Sequence, residues 1–269
     1  MKRKEEKPRG ILLQAPAPGE IMHKRFHPSA DLSFFVEHFW TVRWNLEGLP
    51  PRKVETIPHP TVHLVFENGA TELGGVAKGK FSRYLEGSSF VFSVKFRPGA
   101  FYCFYKKSIA GLANKKIDPA IVFGAGFHSI EKAVLAANSN EAMFQLTEGF
   151  LRKQLPSEDQ NVTAINELLA RIISDRSILR ADQLPEIAGM SIRSLQRLFS
   201  RYLGVSPKWV IARYRIHESL ERLNEKETID SAALAFDLGY SDQAHFIRDF
   251  KSLVGMTPLA YHAQKNTAS

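Results

Sequence analysis

The chain has 269 residues, of which 44% are hydrophobic, so it is long enough for two domains with packed cores. A net charge of +8 and a pI near 9.5 favour a polyanionic partner, although surplus lysine on a solvated surface gives the same charge. The single Cys103 excludes an internal disulfide, the N-terminus is charged, and no apolar run approaches the roughly 18 residues of a membrane span, so we expect a cytoplasmic protein.

The first 150 residues predict an α+β domain. Leu32, Phe35 and Val36 are spaced as on one face of a short helix over 31–38. Further on, glycine and proline separate four predicted strands, FWTVRW, TVHLVFE, GKFSRYLEG and SFVFSVKF, and two helices are predicted near 129–137 and 140–154. The stretch Pro156–Asp159 reads as a linker, which gives predicted domains at 1–155 and 160–265.

We consider three features of the first domain as candidate sites for a metal ion, an anionic effector or another charged partner. His59 and His63 are close enough in sequence to approach one metal ion, but no third and fourth ligands follow, so we expect no metal site. Arg97 is a candidate contact for an anionic effector, with bonding to local carbonyl groups as the alternative. The basic run Lys95–Lys116 contains no acidic residue, and we interpret it as a solvated surface.

The last third of the chain contains one pattern twice. Residues 184–207 read LPEIAGMSIRSLQRLFSRYLGVSP, and residues 234–258 read LAFDLGYSDQAHFIRDFKSLVGMTP. With one residue inserted in the second copy, leucine, glycine, serine, arginine, phenylalanine and proline positions follow in the same order. This agreement indicates a duplicated structural unit.

Each copy predicts a short helix, a tight turn and a second helix. Gly189 and Gly239 suit the left-handed position that ends a helix, and Ser191 and Ser241 offer an oxygen to the free N–H groups of the next helix. The second helix of the first copy has apolar residues at helical spacing, namely Leu195, Leu198, Phe199 and Tyr202. Two helices joined by so short a turn predict a helix-turn-helix, whose second helix fits the DNA major groove.

The paired motifs IAGMSIRSLQRLFSRYLGVSP and LGYSDQAHFIRDFKSLVGMTP resemble the C-terminal DNA-binding domain of the AraC/XylS family of bacterial transcription regulators, over roughly residues 160–262. The resemblance implies an all-α domain of seven helices, with two helix-turn-helix units and a long connecting helix from Pro207. Pro185 departs from the family pattern, and it fits the first turn of its helix if Asp182 is the cap.

The segments PHPTVHLVFENG and VKFRPGAF resemble, less specifically, the small cupin-like N-terminal domain found ahead of some AraC-type modules. Such a domain implies the sensing of a small molecule, dimerisation, or both.

Helix geometry and the family resemblance together select residues able to read bases. In the first unit these are Arg193, Gln196 and Arg197, and in the second Gln243, His245 and Arg248. Such side chains form bidentate bonds with guanine or adenine edges. Because Arg197 and Arg248 occupy the same position in the two copies, bracing of the fold through a carboxylate is the alternative role for either.

Basic residues are concentrated in the first unit. From Ser191 to His217 the sequence has six of them and no acidic residue, namely Arg193, Arg197, Arg201, Lys208, Arg213 and Arg215, whereas Glu218 to Phe250 is rich in acidic residues. Phosphate neutralisation supplies much of the affinity for DNA, so we expect the first unit to anchor the protein, with Arg201 and Lys208 as phosphate contacts.

We therefore expect a sequence-specific transcription regulator that reads two successive major grooves under the control of its N-terminal domain. No catalytic residue, cofactor, metal or membrane is expected. Double-stranded promoter DNA is the expected partner, and RNA polymerase, a small-molecule effector and a second copy of the chain are further candidates. One alternative is a DNA-repair or other enzyme fused to the same module, but the zinc site of such methyltransferases requires four cysteines and Cys103 is alone. The other is a non-specific architectural DNA binder.

Overall fold

The computed structural model describes residues 11–12, 21–225 and 230–268, and it has a β-rich N-terminal domain followed by a helical C-terminal domain. The strands are β1 (Ile11–Leu12), β2 (Ile21–Phe26), β3 (Val36–Leu46), β4 (Arg52–Thr56), β5 (His63–Phe66), β6 (Glu72–Gly74), β7 (Phe81–Leu85), β8 (Gly87–Phe96) and β9 (Lys116–Ile117). They form a six-stranded sheet in the order β2-β3-β8-β5-β6-β9 and a three-stranded sheet in the order β1-β4-β7, and every pairing is antiparallel.

Along β3 and β8 the side chains alternate between the two faces of the six-stranded sheet, and both faces are covered. On one face Trp44 and Val91 pack with Leu85 of the smaller sheet. The other face is lined with phenylalanine and packs against four helices, α1 (Phe101–Tyr105), α2 (Ala120–Phe123), α3 (Phe127–Leu135) and α4 (Asn140–Lys153). Phe39 of β3 stacks on Phe92 with ring centroids 6.1 Å apart and meets Phe144 of α4 edge-on at 5.0 Å.

The helix predicted over 31–38 is wrong. Residues 30–35 form turns, closed by a bond of 2.9 Å from the Phe35 N–H to the Leu32 oxygen, and β3 begins at Val36. Leu32, Phe35 and Val36 are buried as the spacing indicated. The four predicted strands and the two helices near 129–137 and 140–154 are confirmed, within a few residues at their ends.

The C-terminal domain contains the seven helices that the resemblance implied: α5 (Gln160–Ser174), α6 (Leu184–Ala188), α7 (Ile192–Leu203), α8 (Pro207–Glu225), α9 (Ser231–Asp237), α10 (Gln243–Val254) and α11 (Pro258–Ala268). The predicted fold class, an α+β domain followed by an all-α domain with two helix-turn-helix units, is confirmed. Asp182 does not cap α6 as expected. Its neighbour Gln183 occupies the cap position, and the Gln183 Oε1 accepts from the Leu179 and Arg180 N–H groups, both at 2.8 Å. Pro185 lies in the first turn, where a proline displaces no helical bond.

The two domains share one hydrophobic core. A continuous cluster of buried side chains runs from Leu32 in the first domain to Ile211 in α8. At its centre the rings of Tyr102 and Tyr202 lie 4.2 Å apart. Residues 154–159, where the linker was predicted, connect α4 to α5, and Asp159 there accepts a bond of 2.6 Å from the Tyr202 hydroxyl. The connecting segment is therefore fixed to α7. In residues 21–225 and 230–268, none of the helices is long and apolar enough to cross a lipid bilayer.

Candidate nucleic-acid interface

The first helix-turn-helix unit consists of α6 and α7. Gly189 ends α6 with a φ of +61°, and the Ser191 hydroxyl caps α7 by accepting from the Ser194 N–H at 3.2 Å. Four side chains of α7 are buried, namely Leu195, Phe199, Tyr202 and Leu203. The opposite face exposes Arg193, Gln196 and Arg197, which form no hydrogen bond or ion pair within the described part of the chain. The structure thus brings the three candidate readers of the first unit together on one exposed face.

The second unit consists of α9 and α10. The predicted cap Ser241 is wrong, because the Asp242 carboxylate caps α10 by accepting from the His245 N–H at 2.7 Å, and the Ser241 hydroxyl donates to that carboxylate at 3.1 Å. Gln243 and Arg248 are exposed on α10, whereas the His245 ring is partly buried, 5.2 Å from the ring of Tyr240. The His245 Nε2 also lies 3.6 Å from an oxygen of Asp249. His245 therefore has intramolecular contacts that Gln243 does not have.

The alternative role for the two equivalent arginines is not supported by their surroundings. Both Arg197 and Arg248 are exposed, and neither has a carboxylate within ion-pair distance among the residues that the structure describes. Each side chain is accordingly available to a ligand outside the protein.

Helix α8 supports both units. Near its N-terminus Val210 and Ile211 belong to the core shared with the first unit. Farther along, Ile216 and Leu220 pack in a second cluster with Phe246 of α10. One helix thus enters the core of each unit, which fixes the position of α7 relative to α10.

Two of the six basic residues in the run from Ser191 to His217 are not exposed, which corrects the charge distribution expected from the sequence. Arg213 is only 1% exposed, and its Nε donates to the Pro58 oxygen at 2.8 Å. Its Nη2 lies 3.1 Å from a ring nitrogen of His59, and its guanidinium lies 4.7 Å from the ring centroid of Tyr214. Arg215 is half-buried, with its guanidinium 5.2 Å from the ring centroid of Tyr240.

The two predicted phosphate contacts differ in their surroundings. Lys208 is exposed in the first turn of α8. Arg201 is also exposed, but its guanidinium donates to the Tyr102 hydroxyl and lies 4.9 Å from the centre of that ring. Arg201 therefore connects the first unit to the N-terminal domain.

A buried polar cluster surrounds Arg213 at the domain interface. Lys95 is 7% exposed and donates to Glu37 at 2.9 Å. Burial, together with the nearby Lys95 charge, lowers the pKa of His38 and of His63 to about 3. Burial also lowers the pKa of His59, and the adjacent Arg213 lowers it further. These imidazoles are accordingly neutral near pH 7, and the His59 ring lies against the guanidinium of Arg213.

Arg97 bonds a local carbonyl group. Its Nε donates to the Ser33 oxygen at 3.0 Å, and its backbone N–H donates to the Phe35 oxygen at 2.8 Å. These bonds hold the turns that precede β3. The contact between Arg97 and an anionic effector stays a prediction.

Two family models match the chain. Residues 24–118 match a domain of unknown function (DUF6597), and residues 184–264 match a helix-turn-helix domain. A sequence relative, an HTH-type transcriptional regulator of Haemophilus influenzae, is 24% identical over 135 residues, which are 48% of this chain and 45% of that protein. The chain thus spans about half the length of this relative.

Two solved structures resemble the chain, both with TM-scores below 0.5. An AraC-type regulator of Chromobacterium violaceum is 23% identical with a TM-score of 0.35, and the match covers 38% of this chain and 92% of that one. ToxT of Vibrio cholerae is 15% identical with a TM-score of 0.38, and the match covers 91% of this chain and 98% of that one.

Proposed function

Residues 184–264 form a helix-turn-helix domain of the AraC type, and from this premise we propose that the chain is a sequence-specific regulator of transcription that binds double-stranded promoter DNA. One observation carries the proposal. Two recognition helices, α7 and α10, each present exposed polar side chains that have no partner among the described residues, and both are held by the single helix α8.

Base reading is assigned to the exposed faces of α7 and α10. Arg193 and Arg197 have the donor geometry for the O6 and N7 atoms of guanine, and Gln196 and Gln243 suit the N6 and N7 atoms of adenine. Like the arginines of α7, Arg248 can donate to the O6 and N7 atoms of guanine. His245 reaches a base only if it gives up its contact with Asp249.

Positioning on the duplex is assigned to contacts with phosphate. Lys208 is exposed beside α7, and it is the candidate whose charge has no partner in the described part of the chain. Phosphate contacts fix the register of a protein on DNA, while base contacts supply its sequence preference. Two units on one rigid support then enter successive major grooves, about 34 Å apart on one face of the duplex.

The N-terminal domain is proposed to control this module. This proposal is supported by the packing of the N-terminal domain against both helix-turn-helix units. Tyr102 contacts Tyr202 of α7, and Ile57 belongs to the core cluster of the second unit. A ligand or a second copy that shifts this domain would therefore act on the recognition helices, and RNA polymerase is a further candidate partner.

The two alternative functions, an enzyme fused to the module and an architectural DNA binder, have less support. An enzyme of the zinc-dependent repair type needs a cysteine cluster, and Cys103 is buried and is the single cysteine of this chain. An architectural binder contacts chiefly the DNA backbone, and it needs no exposed glutamine on two recognition helices.

Selection of binding sites from a pool of random duplexes tests the proposal. We expect the full chain to enrich an asymmetric site of about two helical turns, and footprinting of that site to show two protected major-groove segments per protomer. Variants without Arg193 and Gln196 serve as the control. Enrichment of no sequence, or protection of one groove segment only, would contradict the proposal.

A further inference from the structure

The N-terminal domain lies directly beside the C-terminal end of the first recognition helix. The Ser108 hydroxyl is 3.5 Å from the Ser200 oxygen of α7. The backbone of Ile109 approaches Gly204 so closely that a Cβ at Gly204 would lie 2.9 Å from the Ile109 oxygen. Lys106 and Lys107 immediately precede this contact, and both side chains are exposed.

A second contact lies at the start of α8. The indole N–H of Trp209 donates to the Lys78 oxygen at 3.1 Å, which places the loop between β6 and β7 next to Lys208. The Lys78 N–H in turn donates to the side chain of Asn114 at 2.8 Å, so Lys115 belongs to the same surface. Two separate loops of the N-terminal domain therefore bring lysines to the end of α7 and to the start of α8.

These lysines differ from their neighbours in having no ion-pair partner among the described residues, and Lys107 lies 5.8 Å from the ring centroid of Tyr105. Lys80 pairs with Glu55 and Lys116 pairs with Glu72, each at 2.8 Å. The other four are exposed and pair with no carboxylate in the described residues, namely Lys78, Lys106, Lys107 and Lys115. We call these four the basic shoulder. It adjoins the exposed cations Arg201 and Lys208, which were themselves expected to contact phosphate.

We propose that the basic shoulder binds the DNA phosphate backbone next to the groove occupied by α7, so that the N-terminal domain is itself part of the DNA interface. This inference rests on the proposed function. Lysine ammonium groups are donors only, and a row of them beside a recognition helix fits the regular charges of a duplex. The sequence alone gave the run Lys95–Lys116 the role of a solvated surface, because nothing in the sequence places it against α7.

Removal of the charges gives a quantitative test. In the full chain, the triple variant Lys106→Gln, Lys107→Gln, Lys115→Gln is titrated with a random-sequence duplex of about three helical turns at several salt concentrations. Each phosphate contact that is lost flattens the plot of log affinity against log salt by about one unit. We expect a decrease of about two to three units and weaker binding at low salt, by on the order of tenfold or more. The preference for a selected site over the random duplex should stay unchanged.

The control is Lys24→Gln, Lys132→Gln, Lys153→Gln, which removes the same charge from β2, α3 and α4 and includes one paired lysine, Lys24, 3.7 Å from Glu141. A long-range effect of net charge would flatten the slope equally in both variants, and that result would overturn the proposal. Acetylation of lysines in the wild-type chain, read by mass spectrometry, gives a direct second measurement. Bound duplex should protect Lys106, Lys107 and Lys115 but not Lys132.

Failure of this inference is distinguishable from failure of the proposed function. If Arg193→Ala weakens sequence preference while the lysine variant retains the wild-type slope, the shoulder does not bind DNA and the proposed function stands. An unchanged slope would instead assign the shoulder to an acidic protein surface. If no sequence is selected but the shoulder lysines are protected and the slope flattens, the inference stands and the proposed function fails.

Discussion

Arg193 and Gln196 are the residues whose replacement has the clearest expected effect, because neither supports the fold. Both are exposed on α7, and neither forms a hydrogen bond or ion pair with another residue that the structure describes. We expect Arg193→Ala and Gln196→Ala each to cost about 1–3 kcal/mol of specific affinity and to relax the preference at one base pair. Titrations with a selected site and with single-base variants of it measure both effects. Arg171→Ala, at an exposed arginine of α5, is the control, and an equal loss in that variant would contradict base reading by α7.

The neutral histidines of the domain interface predict a pH dependence. The pKa of His38 and His63 is about 3 in the folded chain, against 6.5 for an ordinary histidine. Between pH 6.5 and about 3 the unfolded chain binds more protons than the folded chain, so this part of the stability is complete above pH 6.5 and is lost as the pH falls. The Glu37 carboxylate, 3.6 Å from the His38 ring, acts in the opposite direction and raises the pKa of His63, but burial and the Lys95 charge have the larger effect.

We therefore expect His63→Gln to reduce the loss of stability between pH 7 and pH 5, as measured by urea unfolding at each pH. His128→Gln, at a largely exposed histidine of α3, should leave the loss as it is in the wild type. Equal pH dependence in the wild type and in His63→Gln would show that the interface histidines do not set it.

The burial of Arg213 was not predicted from the sequence. As one of six basic residues without an acidic neighbour, it was interpreted as surface charge, yet it is buried against Pro58 and His59. The sequence did contain one indication of burial, since Arg213 lies three residues from both Val210 and Ile216, on a mostly apolar stripe of α8. That stripe predicts burial, but the surface that covers it comes from a loop some 150 residues away in sequence, and no local pattern identifies that loop.

Among the elements, the ends of α6 and α7 offer a comparison of two glycines in the same left-handed conformation. Gly204 has a φ of +75°, and an added Cβ would lie 2.9 Å from the Ile109 oxygen, whereas Gly189 has a φ of +61° and open space around it. Alanine in this conformation costs about 1–2 kcal/mol on backbone grounds alone. We expect Gly204→Ala to be more destabilising than Gly189→Ala by about 1 kcal/mol or more, since the helical turn at 109–112 must also move. The urea unfolding midpoints of the two variants measure this difference. Equal losses of stability would contradict the close approach of the Ile109 oxygen to Gly204.

Elements with a strong local pattern were predictable, and those defined by distant partners were not. The repeated glycine and phenylalanine positions predicted both helix-turn-helix units, because turn and core residue lie within one short segment, but the repeated serine is the cap only in the first unit and Asp242 replaces it in the second. By contrast, Leu32, Phe35 and Val36 have helical spacing but lead into a strand. Val36 pairs with Phe96, and Phe39 pairs with both Phe26 and Val94, so the sheet determines the conformation. The candidate readers on α7 followed from the sequence, while the intramolecular contacts of His245 did not.

For the whole molecule, the shared core predicts cooperative unfolding. Phe101 and Tyr102 pack in the same buried cluster as Phe199 and Tyr202, so neither domain completes its core alone. We expect one calorimetric transition for the full chain, with equal calorimetric and van't Hoff enthalpies. Two resolved transitions would contradict this coupling. For the same reason a search for an effector should use the full chain, because residues 1–155 alone would expose the apolar surface that α7 covers.

The burial of Arg213 also limits how such a chain can be recombined. If the C-terminal module were joined to another sensor by an exchange at residues 155–160, the guanidinium would meet a surface without the Pro58 carbonyl group and without the ring of His59. An unpaired cation in an apolar interface is costly, so a hybrid made in this way would fold poorly unless the loop around Pro58 were transferred with the module. The unit that evolution or a designer can exchange therefore includes a loop that lies about 100 residues before the boundary between the domains.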